Sequence, residues 1–350
     1  MIIKNARIKN GITDILIEDG IIAFVGKVNA DGDIDAKGRL VIPGLVDTHI
    51  HGWRGHDVMN GELCEMSRLL AREGTTCFLP TTMTDSVDSL ESITSRPLDT
   101  DGAVAAGFHL EGPYISRKRK GAQNEAYIKP PVASELASMK NVKKITVAPE
   151  LEGMPDFIRG ADCLISIGHT DCTYEQAAEA IKAGASCLTH TFNAMPPFHH
   201  RETGPIGAAL ELGAYAELIC DGVHVSRAGV IALYRMFGAD RLQLVSDAIS
   251  CAGMPDGKYS SGGLSVCLKD GVATLSDGTL AGGSHSLLYC VKTAVGYGID
   301  FWDAVKMASE TPARSLGLNK GRVEAGYDAD IVVLNDDMSV FASIVGGKII

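Results

Sequence analysis

The chain has 350 residues, 45% of them hydrophobic and 21% charged, which is the composition of a folded globular protein and leaves no case for disorder. Its net charge of -11 argues against a general binder of nucleic acid or of anionic membranes, while leaving room for a local basic pocket. No apolar run is long enough to span a bilayer, the N-terminus lacks a signal-peptide core, and nine cysteines without a C-x-x-C pair fit reduced thiols, so a cytoplasmic location is expected. Only Cys172 and Cys251 fall near the residues that carry chemistry.

Residues 1–46 read as short strands with tight turns. In Asp14-Ile15-Leu16-Ile17-Glu18-Asp19-Gly20-Ile21-Ile22-Ala23-Phe24-Val25 the Asp19-Gly20 pair is a hairpin signal. Residues 321–350 have the same character, with strands expected at Ala329 to Leu334 and at Ser343 to Ile350. The two ends are therefore expected to meet in one small β-sandwich domain beside a body spanning 47–320.

The apolar run Leu40 to Val46 leads into Asp47-Thr48-His49-Ile50-His51-Gly52, which predicts a buried strand emerging at a polar mouth. Side chains alternate along a strand, so His49 and His51 are expected to share one face and Thr48 and Ile50 the other. Two imidazoles on one face can grip a divalent metal, but such pairs also recur by chance. Their meaning depends on partners.

Further short apolar or β-branched runs follow at Thr75 to Pro80, Ala105 to Leu110, Lys144 to Ala148, Cys163 to Ile167, Ser186 to Thr189, Ala216 to Cys220 and Leu242 to Val245. Helix-forming stretches separate most of them. The clearest runs from Thr173 to Gly184, opened by a capping threonine and stopped by glycine. Strand then helix, eight times, predicts an α/β fold, a (β/α)8 TIM barrel. Such a barrel carries its chemistry at the C-terminal ends of its strands, and there this chain places His49, His51, Glu111, Glu150, His169, His190, Asp221 with His224, and Asp247. The Gly- and Ser-rich stretch from Ser250 to Gly283 reads as a long hairpin insertion after the eighth strand, near the site.

An HxH pair on the first strand, acid and histidine residues on later strands and an aspartate after the eighth resemble the amidohydrolase superfamily, as does the closing segment Gly321 to Leu334. Within it, His109-Leu110-Glu111-Gly112-Pro113-Tyr114, Gly168-His169-Thr170, His190-Thr191-Phe192-Asn193-Ala194-Met195, Asp221-Gly222-Val223-His224 and Val245-Ser246-Asp247-Ala248 together resemble the N-acetylglucosamine-6-phosphate deacetylase family. The similarity runs over nearly the whole chain. Each string alone is weak, and five in order at a barrel's spacing are specific.

The resemblance implies that Glu111, His169 and His190 hold the principal divalent ion, zinc in the first instance with iron or manganese as alternatives, and that His49 and His51 give capacity for a second. Lys143 and Lys144 precede the apolar part of the fourth strand and are not placed to bridge metals as a modified lysine does in other relatives. The ion would acidify water, and Asp247 would take its proton as general base and return it to the departing nitrogen.

For the sugar phosphate the resemblance implies Ala122, Asn193, Ala194, Arg201 and His224, with Leu280, Ala281 and Gly282 lining the sugar site. It further implies a homodimer, with a phosphate contact crossing the interface. One position departs from the family: where a histidine usually follows Lys120-Gly121-Ala122, this chain has Gln123, which can donate a hydrogen bond but carries no charge. His199 and His200, beside Arg201, either compensate for that histidine or are solvated loop residues. Alternatives to the expected substrate are the galactosamine epimer or another N-acyl compound, and, in a different class, a non-catalytic barrel.

Overall fold

The computed structural model describes residues 1–350. Both chain ends build one hydrogen-bonded sheet, in the order Lys348–Ile349, Val340–Val345, Ile331–Leu334, Leu40–Pro43, Ile2–Ile8, Gly11–Glu18 and Ile21–Val25, with Ile34–Asp35 added alongside Ile2–Ile8. Asp19 and Gly20 form the expected two-residue turn, with φ of 48° and 79°. Ile22 and Ile344, from opposite ends of the strand order, share one apolar cluster with Ile3, Ile15 and Ile331, so the sheet folds over itself and packs as a sandwich does.

The apolar run ahead of the histidines is two strands and not the single one expected. Leu40–Pro43 pairs antiparallel with Ile331–Leu334 in the terminal sheet, and the first barrel strand, β1 (Leu45–Ile50), begins only after Gly44. A Cβ on Gly44 would lie 2.0 Å from Thr76 Oγ1, so a bare backbone is needed where the chain turns in against its neighbour.

From β1 the chain adds β2 (Thr75–Thr82), β3 (Phe108–Glu111), β4 (Val142–Val147), β5 (Leu164–Ile167), β6 (Cys187–Leu188), β7 (Tyr215–Ile219) and β8 (Leu242–Val245), all parallel. A helix follows each strand, from Leu63–Arg72 after β1 to Leu287–Gly296 after β8. Tyr174–Ala183 is one of them, opened by a reciprocal Thr173–Gln176 capping box and ended at Gly184. The barrel is nearly closed: instead of a regular ladder, the Asp247 N–H donates to the His49 carbonyl at 2.9 Å and the Ser246 N–H to Asp47 Oδ1 at 3.2 Å. The expected third strand is broken, its first part surviving as Val104–Ala105 beside the early half of β2.

Strand β4 shows how the barrel divides its side chains. Ile145 and Val147 join the large apolar cluster shared with the surrounding helices, where burial of each contributes about 1.5–3 kcal/mol. Lys144 and Thr146 point inward. Thr146 Oγ1 lies 2.8 Å from both His109 Nε2 and Thr189 Oγ1, so a polar chain fills the interior beneath the strand ends.

Residues 250–283 form the expected insertion as a four-stranded antiparallel sheet, Gly257–Ser261, Leu264–Lys269, Val272–Thr274 and Leu280–Gly282. Asp57 Oδ2 pins its tip, accepting from Gly262 N–H at 2.9 Å and Ser261 Oγ at 3.1 Å. Its return passes so close to β8 that a Cβ on Gly283 would lie 2.1 Å from the Ser246 carbonyl oxygen. No helix is long and apolar enough to cross a membrane, and all nine cysteines are free.

Candidate metal centre and substrate cavity

The strand ends bring together two sets of three side chains, His49, His51 and Asp247 on one side and Glu111, His169 and His190 on the other. In the first set, the two Nε2 atoms lie 3.2 Å apart and each is 3.3 Å from Asp247 Oδ1. In the second, His169 Nε2 and His190 Nε2 lie 3.1 Å apart and 3.2 and 3.0 Å from Glu111 Oε1. Glu111 spans both sets, with His49 Nε2 3.2 Å from its Oε1 and His51 Nε2 3.2 Å from its Oε2. All six residues are buried.

The donor atoms fit cations between them. The carbonyls of Thr81 and Arg119 can only accept, so the Nδ1–H groups of His51 and His169 donate to them at 3.1 and 2.8 Å, and Nε2 of each presents its lone pair to the centre. The His49 Nδ1 faces Glu217 Oε2 at 3.4 Å, which commits that ring in the same sense. Neutral imidazole lone pairs facing carboxylate oxygens at 3.0–3.3 Å repel unless protons or a metal ion lie between them. Zinc ligands at ~2.0–2.1 Å would stand ~3.3 Å from one another in a tetrahedral shell, close to these separations.

Protons fill the role when metal is absent. Burial alone would lower the basicity of His49 and His51, but Glu111 and Asp247 overcome it and hold them at about 10 and about 9. Burial would likewise raise the two carboxyls, yet the neighbouring histidines keep Glu111 and Asp247 below the ordinary carboxylate range. Burial drives His190 the other way, toward its neutral form.

Backbone strain collects at the same place. His169, His190 and Asp247 have φ of 44°, 29° and 48°, conformations that non-glycine residues adopt only where the surroundings enforce them. Each follows closely after a strand end, where the chain must turn without letting its side chain leave the barrel axis.

Strict alternation does not hold along β1. The register against β2 shifts between Asp47 and Ile50, and Thr48 Oγ1 donates to Glu217 Oε1 at 2.9 Å although His49 also reaches that carboxylate. His49 and His51 share one face as expected, whereas Thr48 does not keep wholly to the other.

A cavity of about 380 Å³ opens over the cluster, on the scale of small-molecule sites. Of the residues expected at the sugar phosphate, Ala122, Asn193, Ala194, His224, Leu280, Ala281 and Gly282 line it together with Asp247. His224 is oriented by Asp221, whose Oδ2 lies 2.7 Å from its Nδ1, and despite burial this carboxylate raises its basicity. Arg201 is not brought into this cavity; it is exposed, lines a neighbouring cleft with His199, and lies 2.9 Å from His200 Nε2. Glu150 also stays outside, accepting from the Asp171 N–H at 2.6 Å.

Four residues at or beneath the site were missed or misjudged from sequence. Lys118 and Arg119 line the cavity while pairing with Asp171, and the basic run Arg117 to Lys120 was their signal. Gln123 is buried: its Oε1 accepts from the Thr84 N–H at 2.7 Å and its amide donates to Glu111 Oε2 at 2.6 Å. Glu217, a charge inside an apolar strand, lies beneath His49 and pairs with Lys144 near the start of β4.

This arrangement, a (β/α)8 barrel with two carboxylate–imidazole sets at its mouth, is that of a metal-dependent hydrolase, and the sequence profile of the Amidohydrolase family matches residues 40–350. The chain is 36% identical over its whole length, and over 97% of the relative, to N-acetylglucosamine-6-phosphate deacetylase of Lysinibacillus sphaericus. It is 34% identical over 93% of its length, and 91% of the relative, to N-acetylgalactosamine-6-phosphate deacetylase of Escherichia coli O157:H7. A mutant of N-acetyl-D-glucosamine-6-phosphate deacetylase from Mycobacterium smegmatis, solved in complex with N-acetyl-D-glucosamine-6-phosphate, matches with a TM-score of 0.93 at 32% identity, covering 100% of this chain and 98% of that one. The chain therefore belongs to the amidohydrolase superfamily and, within it, to the N-acetylglucosamine-6-phosphate deacetylase family. That superfamily is metal-dependent, and the two sets above are this chain's candidate ligands.

Proposed function

We propose that this chain hydrolyses the N-acetyl group of N-acetylglucosamine 6-phosphate, giving glucosamine 6-phosphate and acetate in amino-sugar catabolism. The observation that carries the reading is the convergence of Glu111, His169 and His190 beside Asp247 at one end of a cavity lined by sugar-site residues. Glu111, His169 and His190 would hold the principal ion and His49 and His51 would give room for a second, with zinc the first candidate and iron or manganese the alternatives. When bound, such an ion supplies acidified water and polarises an amide carbonyl.

The chain's own groups do the rest. Asp247 is ionised and reaches the cavity, so it accepts a proton from the attacking water and delivers it to the amine nitrogen as the C–N bond breaks. His224 Nδ1–H donates to Asp221, whose carboxylate also raises the basicity of the ring, so the protonated imidazole donates from Nε2 to an anionic or carbonyl oxygen of the substrate. Asn193 Nδ2 donates to the His190 carbonyl at 3.1 Å, which holds its carbonyl oxygen for the sugar. Ala122, Ala194, Leu280, Ala281 and Gly282 shape the cavity around the ring.

Arg201, remote from the cavity of its own chain, suits a phosphate contact delivered across a homodimer, where its planar fork donates two parallel bonds. A charged metabolite as substrate and nine free thiols favour the cytoplasm. A second reading, the galactosamine epimer, is supported by the similarity to the Escherichia coli relative.

The test is metal analysis of the purified protein with acetate release from both epimers, for wild type and Asp247→Asn. The substitution is expected to leave the ion of Glu111, His169 and His190 in place and to remove turnover, a loss of at least the ~10²–10⁴-fold typical of a general acid–base. Unchanged turnover would take Asp247 out of the mechanism, and faster release from the galactosamine epimer would select the second reading.

A further inference from the structure

Beneath the two ligand sets, Glu217 on β7 is completely buried and saturated with donors. Its Oε1 takes the Lys144 ammonium and the Thr48 hydroxyl at 2.9 Å, and its Oε2 takes His49 Nδ1 at 3.4 Å and the backbone N–H of His190 at 3.3 Å. A Glu–Lys pair in a barrel interior is costly to desolvate, and apolar side chains of similar volume often fill such space with no loss of stability. Fold stability alone therefore gives little reason for this pair. Its position does: one carboxylate touches a residue of each set, the ring of His49 in the first and the strained backbone of His190, at φ 29°, in the second.

We infer that Glu217 is a positioning residue that locks the His49 ring with Nε2 toward the centre, and that Lys144 holds the carboxylate in place for that task. The backbone contact to His190 is secondary, because His190 keeps the turn of its own loop: the Asn193 N–H and side-chain amide both donate to its carbonyl, at 3.0 and 3.1 Å. Loss of the carboxylate thus frees His49 first. The set of His49, His51 and Asp247 loosens while Glu111, His169 and His190 still hold.

This inference rests on the two-ion reading above, and the experiment separates the two. Metal-stripped protein is titrated with Co²⁺ and followed by its visible absorption, for wild type, Glu217→Gln, the double variant Glu217→Gln with Lys144→Met, and His51→Ala as the marker of the first set. Wild type is expected to take two equivalents. Glu217→Gln should weaken only the class that His51→Ala also removes, by the about 10- to 100-fold usual for a partner behind a ligand. The double variant removes the unmatched lysine charge, so its thermal stability should recover while the Co²⁺ affinity does not.

One equivalent in wild type would end the two-ion reading and the inference with it. Two equivalents in wild type, with both classes or neither weakened in Glu217→Gln, would overturn the inference alone. Recovery of affinity together with stability in the double variant would do the same, reducing Glu217 to packing.

Discussion

The terminal sheet and the barrel mouth both bury carboxylates, and they satisfy them differently. In the terminal sheet Asp330 accepts from Lys320 Nζ and from the Gly346 N–H, each at 2.8 Å, and Asp14 accepts from Lys4 Nζ at 2.8 Å and from the N–H groups of Asn5 and Val28. At the barrel mouth Glu111 and Asp247 face the imidazoles of His49, His51 and His169, whose other nitrogens are already committed. The first arrangement brings its own cations and is complete. The second needs one from outside, and that difference separates a scaffold from a site.

The largest effect that would sharpen this contrast comes from Glu111→Gln. An amide nitrogen, a donor, replaces one carboxylate oxygen where imidazole lone pairs face it, and the residue shared by both sets is lost. Metal affinity should fall by more than the about 10- to 100-fold of an outer partner, with acetate release falling in step. Asp330→Asn in the terminal sheet should leave metal content and turnover intact. Equal metal loss from both substitutions would erase the distinction.

Metal removal tests the same contrast through pH. His49 and His51 in the stripped protein titrate near 10 and 9, above the ~6.5 of an unfolded histidine. Groups raised on folding stabilise fully below the unfolded value and lose that contribution as pH rises through the folded one. Stripped protein should thus lose thermal stability between about pH 7 and 10, whereas loaded protein holds its melting temperature over that range. Metal uptake at pH 7.5 should also release protons, measurable by calorimetry in buffers of different ionisation enthalpy. A stripped protein that grows more stable toward pH 10 would contradict the cationic pair.

Gln123 carries a smaller effect. Both ends of its amide are used inside the protein, on the Thr84 N–H and on Glu111 Oε2, so it orients a ligand and has little left for the sugar. Gln123→Ala should lower metal affinity about tenfold with KM for the sugar phosphate nearly unchanged. A raised KM with full metal content would make it a sugar contact instead.

The barrel and its mouth were legible in the sequence because strand periodicity and the placing of acid and histidine at strand ends are local signals. His49, His51, Glu111, His169, His190 and Asp247 all fall where the strand pattern put them. What stayed hidden depends on register and on approach through space. The split of Leu40 to Ile50 at Gly44 turns on a clash with Thr76, thirty-two positions on, and the meeting of Thr48 and His49 on Glu217 turns on a bulge in β1. Arg201 shows the opposite limit: the family resemblance assigned it to the sugar phosphate, and the loop after Asn193 carries it outside the cavity.

The smallest effect tests whether the terminal sheet is scaffold alone. Asp14 is drawn down to about 2, first by its bond to Lys4 and then by the two backbone donors, so its contribution is present above about pH 4 and fades as the pH falls toward 2. Asp14→Asn keeps the shape and removes the charge that three donors share, which should cost about 1–3 kcal/mol of stability at neutral pH. It should leave Co²⁺ binding and the kinetics of acetate release where they were, because Asp14 belongs to the terminal sheet and has no bond to the barrel strands. Urea unfolding monitored beside turnover checks both halves, and a fall in turnover matching the fall in stability would mean that the sheet shapes the site as well as supporting it.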